Sequence, residues 1–233
     1  IKDLINADMV LIGGDGHHRS ELEQIYYGIQ GSKKEPSIHF MSTTAAELVK
    51  LAVNCYLTTK ISYANMVGEV MISSGMEDEV DTVLGAIGAD SRVGGKFLKY
   101  GYGFGGPCLP RDNRAFAAFA NKLGMKYNLG ETTDNFNNEH AKFLKDYFIK
   151  QNKDNLPFCF DSISYKKGTD ILTESQQYRL CLDLLDSGCK VYVIEQECIV
   201  EQIYDELSSL YHSQITFVYN EEHLPQHVFR IRL

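Results

Sequence analysis

The stretch Gly101-Tyr102-Gly103-Phe104-Gly105-Gly106-Pro107-Cys108 ends a nearly side-chain-free loop in a thiol. A sulfur on an irregular segment just ahead of a helix is a candidate nucleophile, because the positive end of the helix dipole favours a thiolate. Asp112, four residues on, lies within one helical turn of that sulfur and can order or deprotonate a water; Arg111 beside it can bind a phosphate. Lys50 and Asn54 share a helix face at i, i+4. An ammonium and an amide held on rigid backbone and aimed at one oxygen are what an oxyanion site requires. Each feature also has a plainer reading: a structural turn with an incidental thiol, solvated charges at a helix start, and a polar stripe facing water. Gly101, Gly103 and Gly106 satisfy the spacing GxGxxG, but Phe97-Leu98-Lys99-Tyr100 before them is no delivering strand and Pro107 to Pro110 follow. The glycines therefore read as a loop closing tightly around a ligand, not as a dinucleotide fingerprint.

The other titratable residues carry less. Cys55, Cys159 and Cys181 lie in apolar segments and read as small core residues, and six cysteines without a CxxC pair fit reduced thiols in a cytosol. No metal is expected: His223 and His227 bracket Pro225, which opposes the helical turn that would align them. With 23 basic against 31 acidic side chains, the net charge of −8 repels phosphate backbones, so nucleic acid is not an expected partner. No apolar run approaches the roughly 20 residues of a membrane span, and nothing at Ile1 resembles a secretory leader. A cytoplasmic, soluble protein of ordinary composition, 44% hydrophobic and 23% charged, is expected, and the start at Ile1 without Met suggests an incomplete chain.

Three stretches must position these groups. Met9-Val10-Leu11-Ile12 and Ser37 to Met41 read as short strands around a helix at 20–30, with a polar breaker at 31–36, as at the edge of a larger domain. From Thr44 the period becomes 3.6: a capping-box pattern opens one long helix of about 28 residues, of the length that packs against a partner helix. Further helices are expected near 79–87, 112–123 and 134–151. Beyond Pro157, strands at 158–164, 190–194 and 215–219 alternate with helices at 174–186 and 199–210, and a fourth strand at 228–231 is possible on pattern. The fold class is α/β, with a central helical domain followed by a parallel, Rossmann-like one.

Glu47-Leu48-Val49-Lys50-Leu51-Ala52-Val53-Asn54 resembles the central-helix motif of the UDP-glucose/GDP-mannose dehydrogenase family, and Gly103 to Asp112 is similar to that family's active-site loop. Ser91 to Lys99 resembles its substrate loop, and Ser164-Tyr165-Lys166-Lys167-Gly168-Thr169-Asp170 its entry into the C-terminal domain. The resemblance implies NAD-dependent oxidation of a nucleotide sugar at C6 to the acid, UDP-glucose first and GDP-mannose next. It implies that Cys108 forms a thiohemiacetal and then a thioester, that Lys50 and Asn54 stabilise the developing charge, and that Asp112 serves the hydrolytic water. Arg92, Phe97, Lys99, Phe104, Gly105 and Lys166 would contact substrate, Arg92 from the neighbouring subunit of a homodimer built across the long helix. Arg111 stands where members usually carry Lys, near cofactor or substrate phosphate. Thr173 replaces a frequent Arg and Ser162 a usual Gly.

On this resemblance, residues 1–41 are the remnant of an N-terminal dinucleotide-binding domain, 42–152 the central helical domain and 153–233 the C-terminal domain. The glycines, ribose acid and assisting glutamate of the missing part imply that this chain alone does not turn over. Two alternatives stand beside it: a non-enzymatic dimerisation and nucleotide-sugar-binding module, and a cysteine hydrolase using Cys108 with His140 as base, for which no nucleophile elbow is present.

Overall fold

The computed structural model describes residues 5–29, 36–166 and 168–233, so Ile1 to Leu4, most of the polar breaker at 31–36 and Lys167 lie outside the described residues. The chain forms two compact units, residues 1–53 and 54–233. In the first, β1 (Met9–Gly13) and β2 (Ser37–Met41) flank α1 (Arg19–Ile29). The two expected strands pair with each other in parallel, Met9 opposite Ser37 through Gly13 opposite Met41. Gly13 is required where β1 reaches the long helix, because a Cβ there would lie 2.8 Å from the Cα of Thr43.

That helix, α2 (Thr43–Ser73), runs through the boundary between the units. At 31 residues it starts one residue earlier and ends about two later than expected, shortly before Gly75, which takes a positive φ of 75°. In the second unit a 3₁₀ turn at Glu77–Glu79 leads into α3 (Val80–Ala89), and α4 (Leu109–Lys122) and α5 (Leu129–Gln151) follow. Both later helices begin before the expected positions. Pro110 sits in the first turn of α4, where its missing N–H costs nothing, and the side chain of Asn128 caps α5 by accepting from the Glu131 N–H at 2.7 Å. The core of α2 and α3 is Ala64, Met71, Val80, Leu84 and Leu98. The ring of Tyr100 fills the space that any side chain at Gly68 would occupy.

The remaining elements are β3 (Phe158–Phe160), α6 (Gln176–Asp186), β4 (Val191–Ile194), α7 (Glu197–Tyr211), β5 (Ile215–Val218) and β6 (Phe229–Arg230). They form a parallel sheet in the order β5-β4-β3-β6, a Rossmann-like arrangement. All three residues of β3 are buried, as expected of a parallel strand covered on both faces. Leu144 and Phe148 of α5 pack into the same core as Leu180, Leu184, Val191 and Ile199. Burial of each such side chain contributes about 1.5–3 kcal/mol.

The expected strand at 158–164 stops at Phe160 for a specific reason. Beyond it the chain turns to meet Glu195, whose Oε2 accepts from the Ser162 hydroxyl at 2.7 Å and the Ile163 N–H at 2.9 Å, while Oε1 accepts from the Gln196 N–H at 3.0 Å. Glu195 is nearly buried, and these three donors satisfy it.

Candidate functional site

Cys108 caps the N-terminus of α4, and its carbonyl accepts the Asp112 N–H at 2.9 Å, closing the first helical turn. Its side chain is exposed. Asp112 is buried, with 4% of its surface accessible. One carboxylate oxygen accepts from the Asn54 amide at 2.6 Å and the other from the Arg111 guanidinium at 2.8–2.9 Å. That hydrogen bond raises the pKa of Arg111, whose side chain stays largely exposed at 69%. Cys108, Arg111, Asp112 and Asn54 are thus brought together around one helix start. Lys50 lies one turn before Asn54 on α2, in the N-terminal unit.

The helices that carry this group are joined by a buried polar node. Asn113 accepts on Oδ1 from Thr58 of α2 at 2.8 Å and Thr133 of α5 at 3.3 Å, and donates to the Gly130 carbonyl at 2.7 Å. Every polar atom of its side chain is therefore engaged, and α4 is fixed in register with both neighbours.

The glycine loop is held from two sides. Asn65 of α2 accepts the Gly101 N–H at 3.0 Å, and Asn137 of α5 both accepts the Phe104 N–H at 2.9 Å and donates to its carbonyl at 3.0 Å. A Cβ on Gly103 would collide with the Asn137 amide oxygen, one on Gly105 with the Glu174 carbonyl, and one on Gly106 (φ 78°) with the Tyr165 ring. The Gly106 N–H donates to that same Glu174 carbonyl at 3.3 Å, while the Glu174 carboxylate accepts from Arg114 at 2.6 Å. The described residues just before the loop, 90–100, form no strand, although α4 follows it.

The remaining expected site residues are dispersed. Phe104 is a core side chain, 2% exposed, so only its backbone faces the loop surface. Gly105 abuts Glu174. Arg92 makes a two-pronged pair with Asp90, at 2.7 and 3.0 Å, which holds the Asp90 carboxyl below its ordinary range, while its own side chain stays largely exposed. Phe97 is half exposed with φ 62°, a left-handed backbone that bulky residues rarely adopt. Lys99 lines an open cleft of about 590 Å³ together with Tyr100, Tyr147, Arg230 and Arg232. Lys166 is exposed, and its carbonyl accepts from Ser164 and Thr169 at 3.1 and 2.7 Å.

The hydrolase alternative is overturned. His140 is fully buried, with one ring nitrogen 2.6 Å from the Glu69 carboxylate and the other 2.8 Å from the Gly101 carbonyl, so it has no nitrogen left to serve as base for Cys108. Asn65, Glu69, Asn137 and His140 were not singled out from sequence as loop-holding residues. Their signal is spacing: Asn65 with Glu69 at i, i+4 and Asn137 with His140 at i, i+3 put polar groups on otherwise packed helix faces.

Fold and site together define a Rossmann-like α/β protein with an exposed thiol on a clamped glycine loop. Residues 44–139 match the UDP-glucose/GDP-mannose dehydrogenase family, central domain, and this stretch of the chain belongs to that family. It is 30% identical over 224 residues to a UDP-glucose 6-dehydrogenase of Drosophila melanogaster, covering 89% of this chain and 45% of that protein. A UDP-glucose 6-dehydrogenase of Haloferax volcanii is 28% identical, covering 82% and 44%. Among solved structures, a UDP-glucose dehydrogenase from Pyrobaculum islandicum superposes with a TM-score of 0.76 at 27% identity, over 94% of this chain and 49% of that one. The chain thus spans about half the length of the curated relatives it matches.

Proposed function

We propose that this chain supplies the covalent-catalytic part of a nucleotide-sugar 6-dehydrogenase, with UDP-glucose the favoured substrate and GDP-mannose the next. The observation that carries the reading is the grouping of Cys108, Asn54 and Asp112 at one helix start, on residues that resemble the family's motifs. The Cys108 thiolate adds to a C6 aldehyde, and the resulting oxyanion is stabilised by donors from α2, Asn54 and, one turn earlier, Lys50. Hydrolysis of the later thioester needs a positioned water. The carboxylate of Asp112, buried and fixed by Asn54 and Arg111, is suited to hold it.

NAD is the hydride acceptor that the resemblance implies. The described residues do not fit it: glycines 101, 103 and 106 follow no strand, and Glu195, at the strand end where an acidic residue would hold a ribose, is satisfied by Ser162 and Ile163. No step involving the dinucleotide is therefore assigned to these residues. For the nucleotide end of the substrate, Lys99 and Lys166 offer exposed cations, Phe97 an exposed ring, and Arg92 the diphosphate contact from a partner subunit. The expected partner is a second copy of the chain. In its support, Tyr56, Tyr63, Met66 and Val70 form an exposed apolar stripe on one face of α2. No helix among the described residues is long and apolar enough to cross a membrane, and a cytoplasmic enzyme is the proposed setting.

The test is Cys108→Ser in the whole protein with UDP-glucose, NAD and product analysis. Acid formation should vanish, and unchanged carboxylate production in that variant would refute the covalent role. The non-enzymatic module is favoured instead if the unsubstituted whole protein binds nucleotide sugar, read as a raised Tm, without oxidising it.

A further inference from the structure

His140 faces two acceptors from within the core. Its Nε2 lies 2.8 Å from the Gly101 carbonyl oxygen and its Nδ1 2.6 Å from Glu69 Oε1. A carbonyl only accepts, so Nε2 carries the hydrogen of that bond. A neutral imidazole has no second N–H, and an ionised carboxylate has none to give. The contact with Glu69 therefore needs one more proton, shared between Nδ1 and the carboxyl.

Nothing packed against the ring offers a substitute. Phe136 and Phe143 stack on its two sides at 6.0 and 6.5 Å, and Tyr100 meets it edge-on at 5.8 Å. The Tyr100 hydroxyl is buried without a hydrogen-bond partner, and burial pushes its pKa up, so it stays neutral. Glu69 and Glu77 both act on Tyr100, and Glu77 also accepts from Tyr147. Glu69 and Asn65 are one turn apart on α2, so the carbonyl and N–H of Gly101 are both tied, through His140 and directly, to the helix that bears Asn54.

We propose that His140 is a positioning residue and that the His140–Glu69 pair is a proton-dependent latch on the glycine loop. With the shared proton the pair holds Gly101 and so sets the path of the loop that ends in Cys108. Without it one hydrogen serves two acceptors, and in the tautomer that donates to Glu69 the Gly101 carbonyl is released. The importance of that loop rests on the function proposed above; the latch itself does not need turnover to be seen.

The experiment is hydrogen–deuterium exchange of the peptide spanning residues 98–108 in the full chain, at about pH 6 and about pH 9, corrected for the intrinsic base-catalysed rise. Protection should fall about tenfold beyond that correction between the two, the change expected for losing a charge-assisted hydrogen bond. Glu69→Gln can donate to Nδ1 of a neutral imidazole and should therefore keep the loop protected with a flat profile. His140→Gln, whose single amide nitrogen reaches only one of the two acceptors, should lose protection at both pH values. A flat profile in the unsubstituted chain, or a Glu69→Gln variant that loses protection in parallel with it, overturns the latch. Should His140→Gln not fold, Glu69→Gln alone decides. Loss of acid formation in Cys108→Ser is measured separately, so either idea can fail without the other.

Discussion

The amide of Asn54 donates to the carboxylate of Asp112 across 2.6 Å, joining the long helix to the first turn of the helix that Cys108 caps. The bond does two things at once. It aims the amide at the helix start that bears the thiol, and it keeps a buried carboxylate in one rotamer.

If Asp112 serves the hydrolytic water, Asp112→Asn in the whole enzyme separates the two halves of the reaction. The thioester should accumulate and its hydrolysis slow by about 10²- to 10⁴-fold, the usual range for a lost general base. Intact-mass analysis after mixing with substrate and cofactor reads the acyl adduct on Cys108. Equal slowing of both halves, without an adduct, would count against the assignment.

The node at Asn113 is structural. Truncation by Asn113→Ala removes its bonds to Thr58, Thr133 and the Gly130 carbonyl, while Thr58 keeps the Cys55 carbonyl and Thr133 keeps the Gly130 carbonyl as acceptors. A loss of about 1–2 kcal/mol is expected from the lost bonds, measured as a lower urea midpoint with an unchanged slope.

Glycine substitutions should divide by what surrounds them. Gly103→Ala drives a methyl into the Asn137 amide and displaces the loop, costing about 1–3 kcal/mol and altering the alkylation rate of Cys108. Gly85→Ala, inside α3 with nothing within 4 Å of the new methyl, should instead stabilise by about 0.5–1 kcal/mol. Thermal melts of the two variants check both signs.

Burial pushes the Asp183 carboxyl up, with Arg179 at 3.9 Å only partly countering it. A raised folded value means that the native state holds this proton more tightly than the unfolded chain. The corresponding stability is fully present below the unfolded value of about 3.9 and is lost as pH rises through the higher folded one. Asp183→Asn should therefore raise the melting point at neutral pH and leave it unchanged in acid. A gain independent of pH would point to packing instead.

The stripe of Tyr56, Tyr63, Met66 and Val70 gives the dimer proposal its own check. Tyr63→Glu with Val70→Glu places charge at two points of the exposed face without touching Asn54, Asn65 or Glu69. Sedimentation should then show a monomer where the unsubstituted protein sediments as a dimer.

The long helix and the alternating second half were legible because their apolar periods run over many residues, and Pro157 marks where the alternation begins. Cys108, Arg111 and Asp112 were legible as neighbours because they share the start of one helix, whereas Asn54 reaches Asp112 from α2 across a sequence separation of 58. The loop clamps were not. Asn65 and Asn137 are ordinary polar residues until the fold places them on either side of Gly101 and Phe104, at sequence separations of 36 and 33. Phe104, expected at the substrate, instead anchors the loop in the core, since an apolar ring among glycines gives no sign of which way it turns.

Glu195 braces the wall of the glycine loop from a distance. At the tip of its strand it draws the Ser162 hydroxyl and the Ile163 amide into a knot of internal bonds, which pins the turn after β3 to the end of β4. That turn leads into Tyr165, on which Gly106 rests, and the chain then runs to Glu174, on which Gly105 rests, so a change at position 195 is expected to be felt at the glycines.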